Sequence, residues 1–401
     1  MAELAAVVGL FAAVVAAPIG AMAAYLLALS AAAFTKRRAP PAEAAHRTHF
    51  AILVPAHDEA LVIERLLASL TAQRYPRDHY DIHVVADNCG DETAALSRRA
   101  GAIVHERKDD QRRAKGHALR WLLDIVRAGG YGAYLVFDAD SVVAPDFLAR
   151  MDARLATGSL VLQAHYTVLN GADSPVAAVR EAALASLHYV RPLGRSALGL
   201  SCGLKGNGMC FEARTLDRHG WGSVGLAEDV ELHLALVRRG VRAEFAPEAV
   251  VRADMPLTLA AAYSQNVRWE AGRLASVRGD VVWLLRDGLV ARDPLLVDAA
   301  IEQLVPPLSV AVAVAAACAF VGVVTGNAAA AALGVFAMTG LMVHVLSGLM
   351  AVRAPVTVYR ALLLTPAYIV WKLILYARAT VTPAGQAWVR TERRRSTSPD
   401  Q

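Results

Sequence analysis

Two carboxylates separated by one small residue close the stretch "LVFDADS" (Leu135–Ser141), where Asp138 and Asp140 follow an apolar run that reads as the end of a buried strand. Side by side they repel. A hard divalent cation that also takes phosphate oxygens and water would offset that repulsion, as magnesium prefers. The plainer alternative is that each aspartate only starts the next helix. Asp87 ends a second apolar run in the same way. "RRAKGHAL" (Arg112–Leu119) brings Lys115 and a glycine to the start of a helix, where the dipole favours anions; read alone, this basic run is a solvated face. Glu228 and Asp229 in "GLAEDVELHLAL" (Gly225–Leu236) head an amphipathic helix. They are either dipole partners or include a general base that removes a hydroxyl proton. In "QNVRWEAGR" (Gln265–Arg273), Gln265, Arg268 and Trp269 stand three and four apart and share one helix face. That face is either plain core or a wall built from an amide, a forked phosphate binder and an aromatic surface for a sugar ring.

Strands must deliver these residues to one place. Phe50–Val54, Ile82–Ala86 and the run ending at Phe137 are short and apolar, and each gives way to polar residues; helical patterns follow the first two, from Glu59 and from Thr93. Strands alternating with helices predict an α/β domain with a mostly parallel sheet. Ligands of such sheets bind beyond the carboxyl ends of the strands, which gathers Asp87, Asp138 and Asp140 at one edge.

The rest of the chain is built for lipid. Of 401 residues, 56% are hydrophobic and the mean hydropathy is +0.37, above a soluble domain's usual share. Val7–Leu29 is long enough to span a bilayer; a secretory signal is the rival reading, but the basic cluster Lys36–Arg38 follows the apolar run instead of preceding it. Leu304–Val324 and Ala328–Val352 read as a hairpin of two further spans. Arg360, Lys372, Arg378 and Pro366 interrupt Val358–Ala379, which fits an interfacial helix and keeps the basic tail Arg390–Arg395 on the cytoplasmic side. The expected organisation is an anchor (1–35), a linker (36–48), the α/β domain (49–298), a transmembrane hairpin (299–353), and an interfacial helix with its tail (354–401). The net charge of +5 lies mostly in the membrane-flanking clusters, which suit anionic headgroups and not nucleic acid. Cys89, Cys202, Cys210 and Cys318 have no CxxC spacing and are expected as reduced thiols.

Taken in order, "VPAHDE", "VVADNCGDET", "AKGHAL", "VFDADS", "GLAEDVEL" and "QNVRW", flanked by apolar helices, resemble the membrane-bound family-2 glycosyltransferases of the GT-A (Rossmann-like) fold. That group contains cellulose, chitin and hyaluronan synthases and ceramide glucosyltransferases. The resemblance runs from about Phe50 to Arg273. It implies that Asp87 contacts the base of a UDP-sugar and Lys115 its diphosphate region. Asp138 would face the nucleotide, and Asp140 would hold Mg²⁺ or Mn²⁺ together with Asp138. Asp229 would be the catalytic base with Glu228 beside it. Gln265, Arg268 and Trp269 would close over the pyrophosphate, and Trp269 and Asn207 would border the acceptor. His57 and Gly225 stand where relatives often have asparagine and serine. The implied reaction is inverting hexosyl transfer to a lipid or lipid-linked acceptor at the cytoplasmic face of the inner membrane. A processive polysaccharide synthase with a glycan acceptor is the alternative, and a non-catalytic nucleotide-sugar-binding module a remote one.

Overall fold

The computed structural model describes residues 1–35, 47–225 and 227–381. Most of the expected linker, the cluster Lys36–Arg38 and the tail Arg390–Arg395 lie outside them. Eight strands form one sheet: β1 (Phe50–Ala56), β2 (Tyr80–Asp87), β3 (Ile103–Arg107), β4 (Ala133–Val136), β5 (Ser141–Val143), β6 (Val161–Val168), β7 (Met209–Glu212) and β8 (Glu244–Ala253). Their order is β3-β2-β1-β4-β7-β6-β8-β5. Four pairings are parallel and three antiparallel, so the sheet is mostly parallel, as expected. All seven residues of β1 are buried, as a strand covered on both faces requires. Phe50, Ile52 and Val54 join Leu66 and Leu70 in one core; Ala51 and Leu53 join Leu119 and Leu122 in the other.

The topology brings the chemistry to one edge. The chain leaves β1 toward β2 and β3 on one side, while β4 pairs on the other, so the crevice opens between β1 and β4. Leu53 O accepts from Phe137 N (3.2 Å). The next donor on that side of β1 would be residue 55, and Pro55 has no N–H. The ladder therefore stops just before Asp138, and β4 is released into its acidic loop. Because β7 runs antiparallel to β4, with Val136 opposite Met209, the loop preceding β7 reaches the same edge. β6 and β8 also end there, since β6 is antiparallel to β7 and parallel to β8.

Among the described residues, four helices are long and apolar enough to cross a bilayer: Ala2–Thr35, Leu308–Thr325, Ala328–Val352 and Val356–Arg378. The first three share a core that includes Ala23, Leu26, Ala311, Ala315 and Leu341. Leu308 starts its helix because Pro306 and Pro307 follow the helix Pro294–Leu304. At one end of the bundle Gly9 lies against Thr325 and Asn327; at the other, Gly194 lies against the backbone of Leu29. The amino terminus and the hairpin turn thus share the end away from the sheet. The fourth segment was expected at the interface. It has the length of a span, is broken by a 3₁₀ turn at Leu362–Leu364, and buries Lys372.

Candidate active site

Lys115 is the hub of the site. Its helix, Lys115–Val126, begins at the carboxyl edge of the sheet. Its Nζ lies 2.6 Å from Asp138 Oδ1 and 3.2 Å from Glu228 Oε1, and it donates to Gly206 O at 2.7 Å. A side chain added at Gly206 would come within 3.3 Å of Asp229 Oδ2. Three separate stretches, "AKG", "DAD" and "AED", therefore meet around the loop that precedes β7. Burial alone would lower the Lys115 pKa, but Asp138 and Glu228 hold it above its ordinary value. Asp229 moves the other way: burial first, and Glu228 beside it, push it up to about 7 against the pull of Lys115.

Asp138, Asp140, Glu228 and Asp229 line one cavity of about 650 Å³. These four carboxylates share that end of the cavity with Lys115, and their donor atoms are all oxygens. Such a set fits Mg²⁺ or Mn²⁺ bound through carboxylates and phosphates. A second group of ligand-type atoms, on Asp58, Cys89 and Asp91, lies within 4.8 Å of one another in the loops after β1 and β2. Backbone N–H groups of Gly90, Ala60 and Thr93 already bond these carboxylates, and burial pushes the Cys89 thiol up to about 11. That group braces two loops.

Asp87 is 1% exposed, and Arg107 Nη1 on β3 donates to its Oδ1 at 2.5 Å. His57 Nδ1 lies 2.7 Å from its carbonyl oxygen. Asn207, expected at the acceptor, is fully buried behind the acidic loop: its Oδ1 accepts from Asp138 N (3.3 Å) and its Nδ2 donates to Ser141 Oγ (2.9 Å). It holds the Asp138 backbone in place and does not face the cavity. Gln265 and Trp269 do line the cavity, from the helix Tyr263–Ala291. Gln265 Oε1 is buried and has no hydrogen-bond partner among the described residues. The Arg268 side chain lies outside the described residues. The guanidinium carbon of Arg180 sits 4.7 Å from the centroid of the Trp269 ring, covering one face of the indole.

Several cavity residues escape a reading of motifs. Lys205 lies within electrostatic reach of Asp229, and burial, with Arg191 and Arg195 nearby, pulls its pKa down to about 7. Glu302 pairs with Lys205 (3.4 Å), with Arg191 (3.9 Å) and with Arg195. Asp298 takes the rest of Arg195 and accepts from Tyr25 in the first apolar helix at 2.7 Å. Lys372 pairs with Glu270 at 3.0 Å. The adjacent charges Arg180 and Glu181 in the otherwise apolar "PVAAVREAAL" were the visible signal, since charge on such a helix needs a reason. The cavity is also lined by Leu308, Val312, Leu341, Met342 and Ile369 from the apolar helices.

A doubly wound sheet with an acidic carboxyl edge, joined to apolar helices through a common cavity, has the form of a membrane-associated glycosyltransferase of the GT-A type. The chain belongs to the family described as "Glycosyltransferase like family 2", whose profile matches residues 46–272. It is 24% identical over 232 residues to the probable glycosyltransferase YdaM of Bacillus subtilis, covering 55% of this chain and 54% of that protein. It is 27% identical over 228 residues to the beta-monoglucosyldiacylglycerol synthase of Synechocystis, covering 55% and 47%. The chain spans about half the length of these curated relatives. Among solved structures, the mannosyltransferase PcManGT of Pyrobaculum calidifontis, in complex with GDP-Man and Mn²⁺, shares the fold with a TM-score of 0.55 and 20% identity, over 84% of this chain and 98% of that one.

Proposed function

We propose that this chain moves a single hexose from a UDP-sugar to a hydroxyl of a lipid or lipid-linked acceptor at the cytoplasmic face of the inner membrane, inverting the anomeric centre. The observation that supports this reading is the shared cavity, lined by Asp138, Asp140 and Asp229 and also by Val312, Leu341 and Met342 of the apolar helices. A lipid hydroxyl can reach the acidic edge through it while its acyl part stays among apolar side chains. The kinship to a glucosyldiacylglycerol synthase agrees with such an acceptor.

In this mechanism Asp229 takes the proton of the acceptor hydroxyl, and the oxygen attacks the anomeric carbon from the face opposite the nucleotide. A base needs reach and a pKa near the working pH, and burial beside Glu228 supplies the second. Lys115 and Arg268 meet the negative charge on the departing UDP, an electrostatic stabilisation that grows as the bond breaks. Asp140 and Asp138 would hold Mg²⁺ or Mn²⁺, whose charge supplies further neutralisation of the diphosphate. Asp87, clamped by Arg107, fixes the nucleotide end, and Trp269 offers its uncovered face to the sugar.

A processive polysaccharide synthase is the second reading, favoured by the likeness to a glucomannan 4-beta-mannosyltransferase of Arabidopsis thaliana. The test is incubation of the purified chain with a panel of UDP-sugars, either metal and a membrane lipid extract. Mass analysis of the products is expected to find lipids gaining one hexose. Release of UDP with long polymer and no glycosylated lipid would overturn the reading in favour of the synthase.

A further inference from the structure

One part of the cavity is lined by a buried guanidinium whose N–H groups are only partly bonded. Arg180, on the helix Pro175–Leu184, is 6% exposed and lines the cavity. Its Nη1 donates to Asn266 Oδ1 (3.2 Å), while Nε and Nη2 are buried with no hydrogen-bond partner among the described residues. Lys372 donates to the same Asn266 oxygen at 2.7 Å, so two buried cations converge on one neutral amide. Glu270 is paired with Lys372 and not with Arg180. Among the described residues Thr365 Oγ1, also on the cavity wall, and Arg191 Nε are buried atoms without a hydrogen-bond partner as well. Buried N–H groups are nearly always bonded, and a buried charge without a counter-charge is costly. Here the orphans are mostly donors, and they belong to residues that line a space walled on one side by apolar helices.

We propose that the acceptor is an anionic lipid, and that the free edge of Arg180, supported by Lys372 and the Thr365 hydroxyl, seats a phosphate group of its headgroup. This rests on the reading of the chain as a lipid glycosyltransferase and narrows the acceptor class. A guanidinium offers two parallel N–H groups to two phosphate oxygens. The stack on Trp269 holds the guanidinium plane and sets the phosphate beside the sugar platform. Gln265, whose Oε1 has no hydrogen-bond partner among the described residues, lines the same cavity. Two charged clusters line the cavity. Four carboxylates with Lys115 suit a metal-bound diphosphate; Arg180 and Lys372 with Glu270 suit a second anion.

The test uses the full chain in mixed micelles with saturating donor and three acceptors. These are phosphatidylglycerol (anionic, with headgroup hydroxyls), diacylglycerol with the same acyl chains (neutral, with one hydroxyl) and water-soluble glycerol 3-phosphate. Phosphatidylglycerol is expected to exceed diacylglycerol in kcat/KM by at least about tenfold, the scale of one charge-assisted bidentate contact. Arg180→Gln should erase most of that ratio, Arg180→Lys should restore part of it, and KM for the donor should move much less. On the unaltered protein, phosphatidic acid should compete with phosphatidylglycerol, a result independent of how the variants fold. Equal use of both lipids, no competition by phosphatidic acid, or a donor KM that rises in step with acceptor KM in Arg180→Gln would overturn the proposal. Glycerol 3-phosphate used as well as phosphatidylglycerol would overturn the lipid source of the phosphate. Glycosylation of diacylglycerol alone would sink this inference and leave the proposed function standing; donor consumption with no lipid product would sink both.

Discussion

The Lys115 ammonium lies 2.6 Å from Asp138 Oδ1, so the cation expected to meet a donor diphosphate also holds the acidic loop in place. An arriving diphosphate competes with Asp138 and Glu228 for the same three N–H groups. Removing the ammonium therefore does two things: it strips a charge expected to meet the departing UDP, and it leaves the Asp138 and Glu228 carboxylates without the cation between them.

Lys115→Met is accordingly expected to lower kcat/KM for donor consumption by about 10² to 10³, the usual scale for one preorganised charge at a developing anion. Coupled UDP-release kinetics measure it. A variant within threefold of the unaltered protein would remove Lys115 from the chemistry.

As the proposed base, Asp229 is expected to set the pH dependence. Its pKa is pushed up to about 7 in the folded protein, so the base is protonated and idle at pH 5 and ionised at pH 8. The kcat/KM profile should rise with pH on a limb centred near 7, well above the ordinary aspartate range. The same shift bears on stability with a definite sign. A raised carboxylate pKa favours the folded state most below the unfolded value near 4, and that advantage is lost as pH rises through 7. Asp229→Asn should thus raise Tm by a few degrees at pH 8 and by less at pH 5.

Asp87 and Arg107 form a buried pair, 1% and 6% exposed. Arg107→Met leaves the carboxylate without its counter-charge and should cost about 3–5 kcal/mol, visible as a large fall in thermal unfolding temperature. Adding Asp87→Asn to that variant should recover most of the loss while weakening donor binding. Failure of the double variant to recover would show that Arg107 matters through its other contacts, to Asp109 and Arg112 O.

Gly116 tests the support of the base. A Cβ there would stand 2.5 Å from Ser223 O, 2.9 Å from Val224 Cα and 3.3 Å from Glu228 Cβ. Backbone has to move, and with it the start of the helix Glu228–Val237. Gly116→Ala should reduce kcat by at least about tenfold through misplacement of the reacting groups, with donor binding changed much less.

What could be read before folding was local. Apolar runs ending in "PAHDE", "ADNCGDE" and "DADS" locate three strand ends, and a parallel sheet forces them to one edge. The acidic helix start at Glu228 and the face shared by Gln265 and Trp269 follow from helical spacing alone. What remained hidden depends on partners distant in sequence. Arg107 claims Asp87 from a neighbouring strand, and Asn207 turns inward because β7 runs antiparallel beside β4. Lys372 reads as a break in an apolar helix, yet it meets Glu270 and Asn266 more than a hundred residues earlier in the chain. No spacing rule reaches that far.

The most direct measurement compares donor binding with transfer in Asp229→Asn, using the purified chain, a UDP-sugar, Mn²⁺ and a lipid acceptor. Donor affinity should stay within a few-fold of the unaltered protein while hexose transfer falls at least about a thousandfold, as expected when a general base is removed and binding is spared. Transfer at the unaltered rate would contradict the account of the site.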